Sequence, residues 1–209
     1  MADPEAPVRE RAFGQDRRPS PVDNLGVWLS ARRVRRSLPG LAGARIGDFG
    51  CGFHATWVRA ALDEVGHAVL VDVALADDLK RRPDVTALEG VLPGVLAAIP
   101  DASLDVVTCL SVLEHLWEPA AVLAEARRVL APGGTCLVNV PSWRGKRALE
   151  FSAFRLGLSP PEEMDDHKAY YDPPDLWPLL VQAGFVPHNI RCFTHKLGLN
   201  TFAICRVDK

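Results

Sequence analysis

The stretch from Ile46 to Ala55 constrains this chain more than any other part of its sequence. It begins as a short apolar strand, reaches the acidic residue Asp48, and then turns through Gly50 and Gly52. Glycine at alternate positions allows the backbone to take positive φ and allows a ligand to approach without meeting a Cβ atom. We predict that a helix follows over residues 56–65, with the N–H donors of its first turn near that ligand.

A second apolar strand, Val69-Leu70-Val71, ends in Asp72 about twenty residues after the glycine turn. From the end of this strand a carboxylate can accept hydrogen bonds from both hydroxyls of a ribose. The succession of strand, glycine turn, helix, strand and acid therefore predicts a site for a nucleoside cofactor.

Length, charge and cysteine content narrow the class of protein. The 209 residues suffice for one full α/β domain, and the net charge of −2 gives no electrostatic case for a nucleic-acid partner. No apolar run approaches the ~18 residues that a membrane-spanning helix needs. The five cysteines are scattered without a C-x-x-C pair, which disfavours a zinc site or a disulfide framework and indicates a reducing cytoplasm.

The first residues differ in composition from the rest. We expect residues 1–22, rich in proline and in charge, to form a disordered or loosely docked leader, and residues 23–209 to form a single domain. Asp23 is predicted to be the N-cap of an amphipathic helix whose arginines either face solvent or meet an anionic substrate. The segment 141–171 interrupts the later pattern, and we predict that it is a lid-like insertion beside the substrate.

The remaining chain alternates short apolar strands with helices as far as its fifth strand. Strands are predicted near 104–110 and 135–140, and a helix over 119–130, where apolar residues recur at helical spacing. Such alternation predicts right-handed crossovers and a parallel sheet with helices on both faces. Two final strands, 185–193 and 199–207, are predicted to pair antiparallel.

Several motifs follow one another at regular positions in the chain. In order they are Asp48-Phe49-Gly50-Cys51-Gly52, Asp72, Asp105-Val106-Val107 with Leu113-Glu114-His115-Leu116, Pro132-Gly133-Gly134, and the run from His167 through Tyr171 and Leu176 to Ala183-Gly184-Phe185. Together they resemble the class I S-adenosylmethionine-dependent methyltransferases, and in particular small-molecule members of the methyltransferase type 11 kind. The resemblance covers roughly residues 40–207.

This resemblance implies a fold, a cofactor and an activity. The fold would be α/β, a Rossmann-like seven-stranded and mostly parallel sheet with helices on both faces and a C-terminal antiparallel strand pair. The cofactor would be S-adenosylmethionine, and the reaction would be methyl transfer to a small-molecule acceptor by in-line displacement. One position departs from the family pattern, because His54 is bulky where the family often has a third small residue.

The resemblance also implies a set of cofactor-binding residues. Asp48 would hold the amino group of the cofactor, directly or through water, and Asp72 would accept the ribose hydroxyls. Glu89, after the third strand, would reach the adenine amino group, although a solvated glutamate is an equal alternative. Leu110 and Ser111 would lie along the cofactor. The complete predicted set is Asp48, Phe49, Gly50, Cys51, Gly52, Asp72, Val73, Glu89, Leu110 and Ser111.

Two histidines are predicted to be catalytic. His115 lies in the Leu-Glu-His-Leu motif and His167 lies in the predicted insertion. An imidazole with a pKa of about 6.5 suits a general base near neutral pH, and a hydrogen-bonded structural histidine is the alternative for each. No spacing of potential metal ligands stands out, so we predict no metal dependence. Asp172-Pro173-Pro174 is interpreted as the start of a helix.

Two other functions stay open at this stage. Gly50-x-Gly52-x-x-Ala55 also satisfies the dinucleotide fingerprint of an NAD(P)-dependent oxidoreductase, although Asp48 puts a charge where a dehydrogenase strand is usually apolar. A non-catalytic, methyltransferase-like cofactor-binding protein is the second alternative. Neither the acceptor molecule, nor its attacking atom, nor the oligomeric state can be inferred from these patterns.

Overall fold

A computed structural model describes residues 11–16, 20–147 and 167–208. Within these residues seven strands form one sheet in the order β3-β2-β1-β4-β5-β7-β6. Strand β7 is antiparallel to both of its neighbours, and the other adjacent pairs are parallel, which confirms the predicted fold. The strands are β1 (Arg45–Phe49), β2 (His67–Asp72), β3 (Val85–Glu89), β4 (Leu104–Leu110), β5 (Leu130–Pro141), β6 (Ile190–His195) and β7 (Asn200–Arg206).

The central strands are apolar on both faces because helices cover both sides of the sheet. Alternate residues of a strand point to opposite faces, so Leu70 packs into one core cluster and Val71 into the other. Ile46 and Phe49 divide β1 in the same way. Burial on two faces explains why these strands read as continuous apolar runs in the sequence.

The helices of the described segments are arranged in two layers. Helices α1, α2 and α3 pack on one face of the sheet, and α4 and α5 pack on the other. None of these helices is long and apolar enough to cross a membrane. Their bounds are α1 (Pro21–Ser37), α2 (Thr56–Arg59), α3 (Asp77–Lys80), α4 (Pro119–Val129) and α5 (Pro173–Gln182), with short 3₁₀ helices at Gly94–Ala98, Leu113–His115, Pro187–Asn189 and Lys196–Gly198.

Helix α1 begins earlier than its sequence predicted. Ser20 is its N-cap, and its hydroxyl accepts a hydrogen bond from the backbone N–H of Asp23 at 3.2 Å. The Asp23 carboxylate in turn accepts from the backbone N–H of Ser20 at 2.8 Å. This reciprocal pair is a capping box, so the prediction that Asp23 is the N-cap was wrong. The predicted boundary after residue 22 therefore falls inside a helix.

Helix α2 is shorter than predicted. It ends at Arg59 instead of residue 65, and the chain continues in tight turns. The N–H of Ala61 donates to the carbonyl of Val58 at 2.7 Å, and the N–H of Glu64 donates to the carbonyl of Ala61 at 2.9 Å. Both bonds span three residues instead of four.

Part of the predicted leader lies directly on the glycine turn. The N–H of Phe53 donates a hydrogen bond to the carbonyl of Phe13 at 2.9 Å, and Ala12 beside it is buried. Positions 1–10 and 17–19 of that leader, and positions 148–166 of the predicted insertion, lie outside the described residues. The prediction of a lid-like insertion at 141–171 therefore stays a prediction.

Candidate functional site

The carboxyl ends of four neighbouring parallel strands form one crevice. Phe49 at the end of β1 lies beside Val71 of β2, and Asp72 at the end of β2 lies beside Glu89 of β3. On the other side of β1, Asp48 lies beside Thr108 of β4. The predicted cofactor-binding residues are thereby brought to a single edge of the sheet, where open α/β sheets bind their ligands.

The glycine turn is fastened to the end of β2. Gly50 and Gly52 have φ values of 73° and 74°, which favour glycine over other residues. The N–H groups of Gly50 and Cys51 both donate to the carbonyl of Val71, at 2.8 and 3.1 Å. The N–H of Gly52 donates to a carboxylate oxygen of Asp72 at 2.7 Å. The path of the turn is therefore set by β2 as well as by the glycines.

Asp72 is held in place by the backbone around it. Besides its bond from Gly52, its second carboxylate oxygen accepts from the N–H of Val73 at 2.8 Å. Asp72 and Val73 are half-buried. An ionised carboxylate has about four acceptor sites, so these two bonds are compatible with further hydrogen bonds from the hydroxyls of a ribose.

Asp48 is buried, with 2% of its surface exposed. The hydroxyl of Thr108 donates to its carboxylate at 2.6 Å, and the indole N–H of Trp57 donates to that hydroxyl at 3.2 Å. Burial raises the pKa of Asp48 to about 7; hydrogen bonds from Thr108 and Trp57 oppose this shift, and the charge of Asp72 adds to it. Neither Thr108 nor Trp57 was predicted, although a threonine inside an apolar strand was a usable signal.

The side chains of Phe49 and Cys51, which lie between the two acids in sequence, are packed against the protein. Phe49 is fully buried in the core, so only its backbone can face a ligand. The half-buried thiol of Cys51 lies 3.4 Å from the carbonyl oxygen of Gly52. Burial, with the nearby charges of Asp48 and Asp72, raises the pKa of this thiol well above its ordinary value. Cys51 therefore stays protonated at neutral pH and is no nucleophile.

Glu89 is exposed and tied to the loop after β2. Its carboxylate accepts from the N–H of Leu75 at 2.7 Å and forms an ion pair with the ammonium of Lys80 at 2.8 Å. The bond with Lys80 is the main reason that the pKa of Glu89 lies below its ordinary value. These contacts favour a structural role for this side chain over a contact with adenine.

Leu110 ends β4 at the same edge of the sheet, and Ser111 follows it. Ser111 is exposed and has a φ of 58°, an uncommon value for a residue with a side chain. Its N–H donates to the carbonyl of Asn139 in β5 at 2.7 Å. The bond fixes the direction in which the chain leaves the sheet towards His115.

The two predicted catalytic histidines lie together. The ring centroids of His115 and His167 are 4.8 Å apart, and Nδ1 of His167 lies 3.1 Å from the hydroxyl of Tyr170. Two bonds hold the segments together: the N–H of Lys168 donates to the carbonyl of Glu114 at 2.7 Å, and its ammonium donates to the carbonyl of His115 at 2.8 Å. Each histidine was predicted separately, but their contact was not.

Glu114, next to His115 in the chain, and Lys196, which interacts electrostatically with Glu114, were not predicted as site residues. Glu114 is buried, with 1% of its surface exposed. Burial lowers the pKa of Lys196 to about 8, and the charge of Glu114 opposes that shift. Burial raises the pKa of the Tyr171 hydroxyl, and Glu114 adds to that effect. Lys196 lies in the turn between β6 and β7, far from these residues in sequence, so no local pattern indicated its place.

The sheet, the glycine turn and the two strand-end acids define a Rossmann-like domain for a nucleoside cofactor. Residues 47–138 match a family model described as a methyltransferase domain. The match supports the resemblance to the class I S-adenosylmethionine-dependent methyltransferases that the sequence motifs predicted. S-adenosylmethionine is the cofactor of this family. The match favours the methyltransferase over the oxidoreductase interpretation of Gly50-x-Gly52-x-x-Ala55.

Individual relatives agree with this family. The chain is 27% identical over 173 residues to the ubiquinone biosynthesis O-methyltransferase of Psychrobacter arcticus, covering 78% of this chain and 67% of that protein. It is 32% identical over 161 residues to a Mycolicibacterium smegmatis protein named a "Probable S-adenosylmethionine-dependent methyltransferase", covering 76% of this chain and 58% of that protein. It spans about half the length of several other curated relatives that it matches.

Solved structures share the fold at lower identity. A SAM-dependent methyltransferase from Archaeoglobus fulgidus superposes with a TM-score of 0.62 at 17% identity, covering 86% of this chain and 93% of that chain. A SAM-dependent methyltransferase from Aquifex aeolicus gives a TM-score of 0.60 at 16% identity, covering 86% and 90%. Both support the same sheet architecture.

We predict that Gly50→Ala destabilises the protein more than Gly43→Ala does. Both glycines have a positive φ, of 73° and 70°, so both alanines carry the left-handed cost of about 1–2 kcal/mol. A Cβ at Gly50 would also overlap the side chain of Val112, whereas nothing lies within 4 Å of a Cβ at Gly43. The overlap should add about 1–3 kcal/mol.

Urea denaturation of the two variants measures this difference, with Gly43→Ala as the control for backbone strain alone. Equal losses of unfolding free energy would mean that Val112 moves aside without cost.

The buried acid predicts a pH dependence of stability. Because the folded-state pKa of Asp48 is about 7, the native protein keeps a proton that the unfolded chain loses above about pH 4. The contribution of Asp48 to the unfolding free energy therefore falls as pH rises from about 4 to about 7, by at most about 1.4 kcal/mol per pH unit, and is constant above that window.

Denaturation of wild type and Asp48→Asn at about pH 5 and about pH 8 tests this dependence. The variant lacks the titrating group, so wild type should lose stability relative to it at the higher pH. A stability difference that is the same at both pH values would contradict the raised pKa.

Proposed function

We propose that this chain transfers a methyl group from S-adenosylmethionine to an oxygen atom of a small-molecule acceptor. The observation that carries the proposal is the meeting of Asp48, the glycine turn and Asp72 at the ends of adjacent strands. The name of the Psychrobacter arcticus relative, an O-methyltransferase of ubiquinone biosynthesis, supports an oxygen acceptor. The two neighbouring imidazoles support it too, because a hydroxyl must lose a proton before or as it is methylated.

The residues of the crevice fit the polar groups of this cofactor. Asp48 has the charge to hold its ammonium group, directly or through water, and Asp72 has the acceptors for its ribose hydroxyls. The backbone of Phe49, Cys51 and Val73 would line the cofactor between the two acids. Leu110 and Ser111 would lie on its other side, and Glu89 is the least supported member of the set because Lys80 already holds it.

The glycines contribute through the path of the turn. A Cβ at Gly50 would point into Val112, and a Cβ at Gly52 would lie 3.2 Å from the carbonyl oxygen of Phe13. Neither missing Cβ therefore opens space for a ligand directly. Their positive φ values instead direct the N–H of Gly52 onto Asp72, which fixes the proposed ribose acceptor.

The chemistry that we propose is in-line displacement. When bound, S-adenosylmethionine supplies the methyl group, and its sulfonium charge already activates the leaving group. The protein therefore mainly aligns the acceptor and excludes water. The imidazole of His115 or His167 takes the proton of the acceptor hydroxyl as its oxygen bonds to the methyl carbon and the carbon–sulfur bond breaks. S-adenosylhomocysteine leaves, and the imidazolium returns its proton to water.

The setting that we propose follows from charge and thiol chemistry. A small-molecule acceptor and no nucleic-acid partner fit the net charge of −2. All five cysteines are free, and burial raises the pKa of Cys109, Cys136 and Cys205 above their ordinary value. Unpaired, protonated thiols support a location in the reducing cytoplasm.

Calorimetry tests the cofactor assignment. We expect S-adenosylhomocysteine to bind in the micromolar range and NAD not to bind. Binding of NAD alone would overturn the proposal in favour of an oxidoreductase. Binding of S-adenosylhomocysteine without methyl transfer in a screen of hydroxylated metabolites would favour a non-catalytic cofactor-binding protein.

Asp72→Asn is the variant arm of the same experiment. Loss of the charged acceptor should weaken the binding of S-adenosylhomocysteine by about 1.5–3 kcal/mol, the scale of hydrogen bonds to a charged group. Asp77→Asn is the matched control, because Asp77 is an exposed acid a few residues beyond the end of β2. Equal affinity of both variants and wild type would move the ribose contact away from Asp72.

Turnover of histidine variants tests the proposed base. His115→Ala or His167→Ala should lower kcat by about 10²- to 10⁴-fold while S-adenosylhomocysteine affinity stays unchanged. His188→Ala, which removes an exposed imidazole elsewhere, should behave as wild type. If neither variant of the pair lowers kcat, alignment of the substrates is the source of catalysis.

A further inference from the structure

Glu114, His115 and His167 form a cluster whose chemistry goes beyond that of a single base. Each offers one potential metal-ligand atom, and the three atoms lie within 4.8 Å of one another. We propose that these side chains bind a divalent metal ion at the acceptor end of the crevice. The proposal rests on the function proposed above and adds a Lewis acid to it. It also departs from the prediction of no metal dependence, which relied on ligand spacing in the sequence.

The backbone holds the three residues together before any ion binds. The carbonyl of Glu114 accepts from the N–H groups of Lys168 and Ala169, at 2.7 and 3.3 Å. The ammonium of Lys168 donates to the carbonyl of His115 at 2.8 Å. These bonds fasten the residues after β4 to the residues around His167, so the site needs little ordering when metal enters.

The spacing of the ligand atoms suits a small rearrangement. Ligands about 2.1 Å from a tetrahedral ion lie roughly 3.4 Å from each other. A spread of up to 4.8 Å is closed by modest rotations of three side chains around a common ion. Both histidines are half-buried, whereas Glu114 is buried and would form the fixed side of the site.

Tyr170 provides the outer contact that a metal-binding histidine usually has. Its buried hydroxyl lies 3.1 Å from Nδ1 of His167. If Nδ1–H donates to this hydroxyl, the tautomer is fixed and Nε2 carries the lone pair for the metal. Hydrogen bonds of this type orient the ring and raise its basicity as a ligand.

The donor set selects the kind of ion. Two imidazoles and one carboxylate make up the catalytic zinc sites in which a fourth position is open, and they also suit other first-row divalent ions. A cation also offsets the cost of burying the Glu114 charge. The positive charge of Lys196 already acts on this carboxylate, and a metal ion would compete with it.

An ion at this site would act on the acceptor oxygen. An acceptor hydroxyl in the open coordination position has a lowered pKa and releases its proton to water. The resulting oxygen anion bonds to the methyl carbon as the carbon–sulfur bond breaks, and S-adenosylhomocysteine leaves. In this arrangement His115 and His167 are ligands, and the metal replaces them as the group that ionises the acceptor.

Metal titration of the tag-free, full chain tests the site. After chelator treatment and removal of the chelator, calorimetry with Zn²⁺ should show one saturable site, and Co²⁺ should give the visible absorption of a coordinated ion. His115→Ala and His167→Ala should each lower the affinity for Zn²⁺ at least about tenfold. The control His188→Ala should bind as wild type does. Zn²⁺ should also raise the Tm of wild type more than that of either cluster variant.

The outcomes separate this proposal from the function on which it rests. No saturable Zn²⁺ binding, or equal binding by wild type and both cluster variants, would overturn the metal site. S-adenosylhomocysteine is titrated into the same metal-free protein: if it binds while Zn²⁺ fails, only the metal proposal is lost. If Zn²⁺ binds at the cluster and S-adenosylhomocysteine does not bind, the proposed methyltransferase function fails instead.

Discussion

The hydrogen bond between the N–H of Gly52 and the carboxylate of Asp72 is the interaction on which the crevice depends. It joins the turn after β1 to the end of β2, and it requires the positive φ of Gly52 for the N–H to point that way. The carbonyl of Val71 fixes the two preceding N–H groups of the turn. Residues on two strands are thus positioned by one short piece of backbone, which makes the spacing of Asp48 and Asp72 a property of the sheet.

Asp48 shows that this edge of the sheet is not arranged for stability alone. A carboxyl whose pKa is raised to about 7 by burial weakens the folded state at neutral pH relative to a residue that stays neutral. The bonds from Thr108 and Trp57 reduce that cost but do not remove it. Strongly shifted groups cluster at functional sites because their charge is needed there. A bound ammonium group would stabilise the carboxylate, so occupation of the proposed site would lower the pKa of Asp48 again.

The sequence predicted the features that depend on residues close together in the chain. It did not predict those that depend on strand register or on contacts between residues far apart in sequence. The sheet, the glycine turn and both strand-end acids follow from local patterns that the fold keeps. Trp57 and Thr108 join Asp48 only because β1 and β4 are neighbours in register. His115 meets His167 across the predicted insertion, and Phe13 contributes a backbone carbonyl that no side-chain pattern can indicate. In helix α2, apolar spacing indicated burial correctly, but tight turns bury Ala61, Leu62 and Val65 as well as a helix would.

The two proposed ends of the crevice are formed by different parts of the fold, and this difference bears on how the acceptor specificity of such a chain can change. The proposed cofactor end consists of backbone groups and two acids on adjacent strands, so a change there disturbs the sheet itself. The proposed acceptor end consists of Glu114 and His115 after β4, His167 before α5, and Lys196 in the last hairpin. These segments leave the sheet and can change without altering strand register. Acceptor choice is therefore free to vary among chains that hold the same cofactor, and it has to be argued from the side chains of these loops and not from the fold.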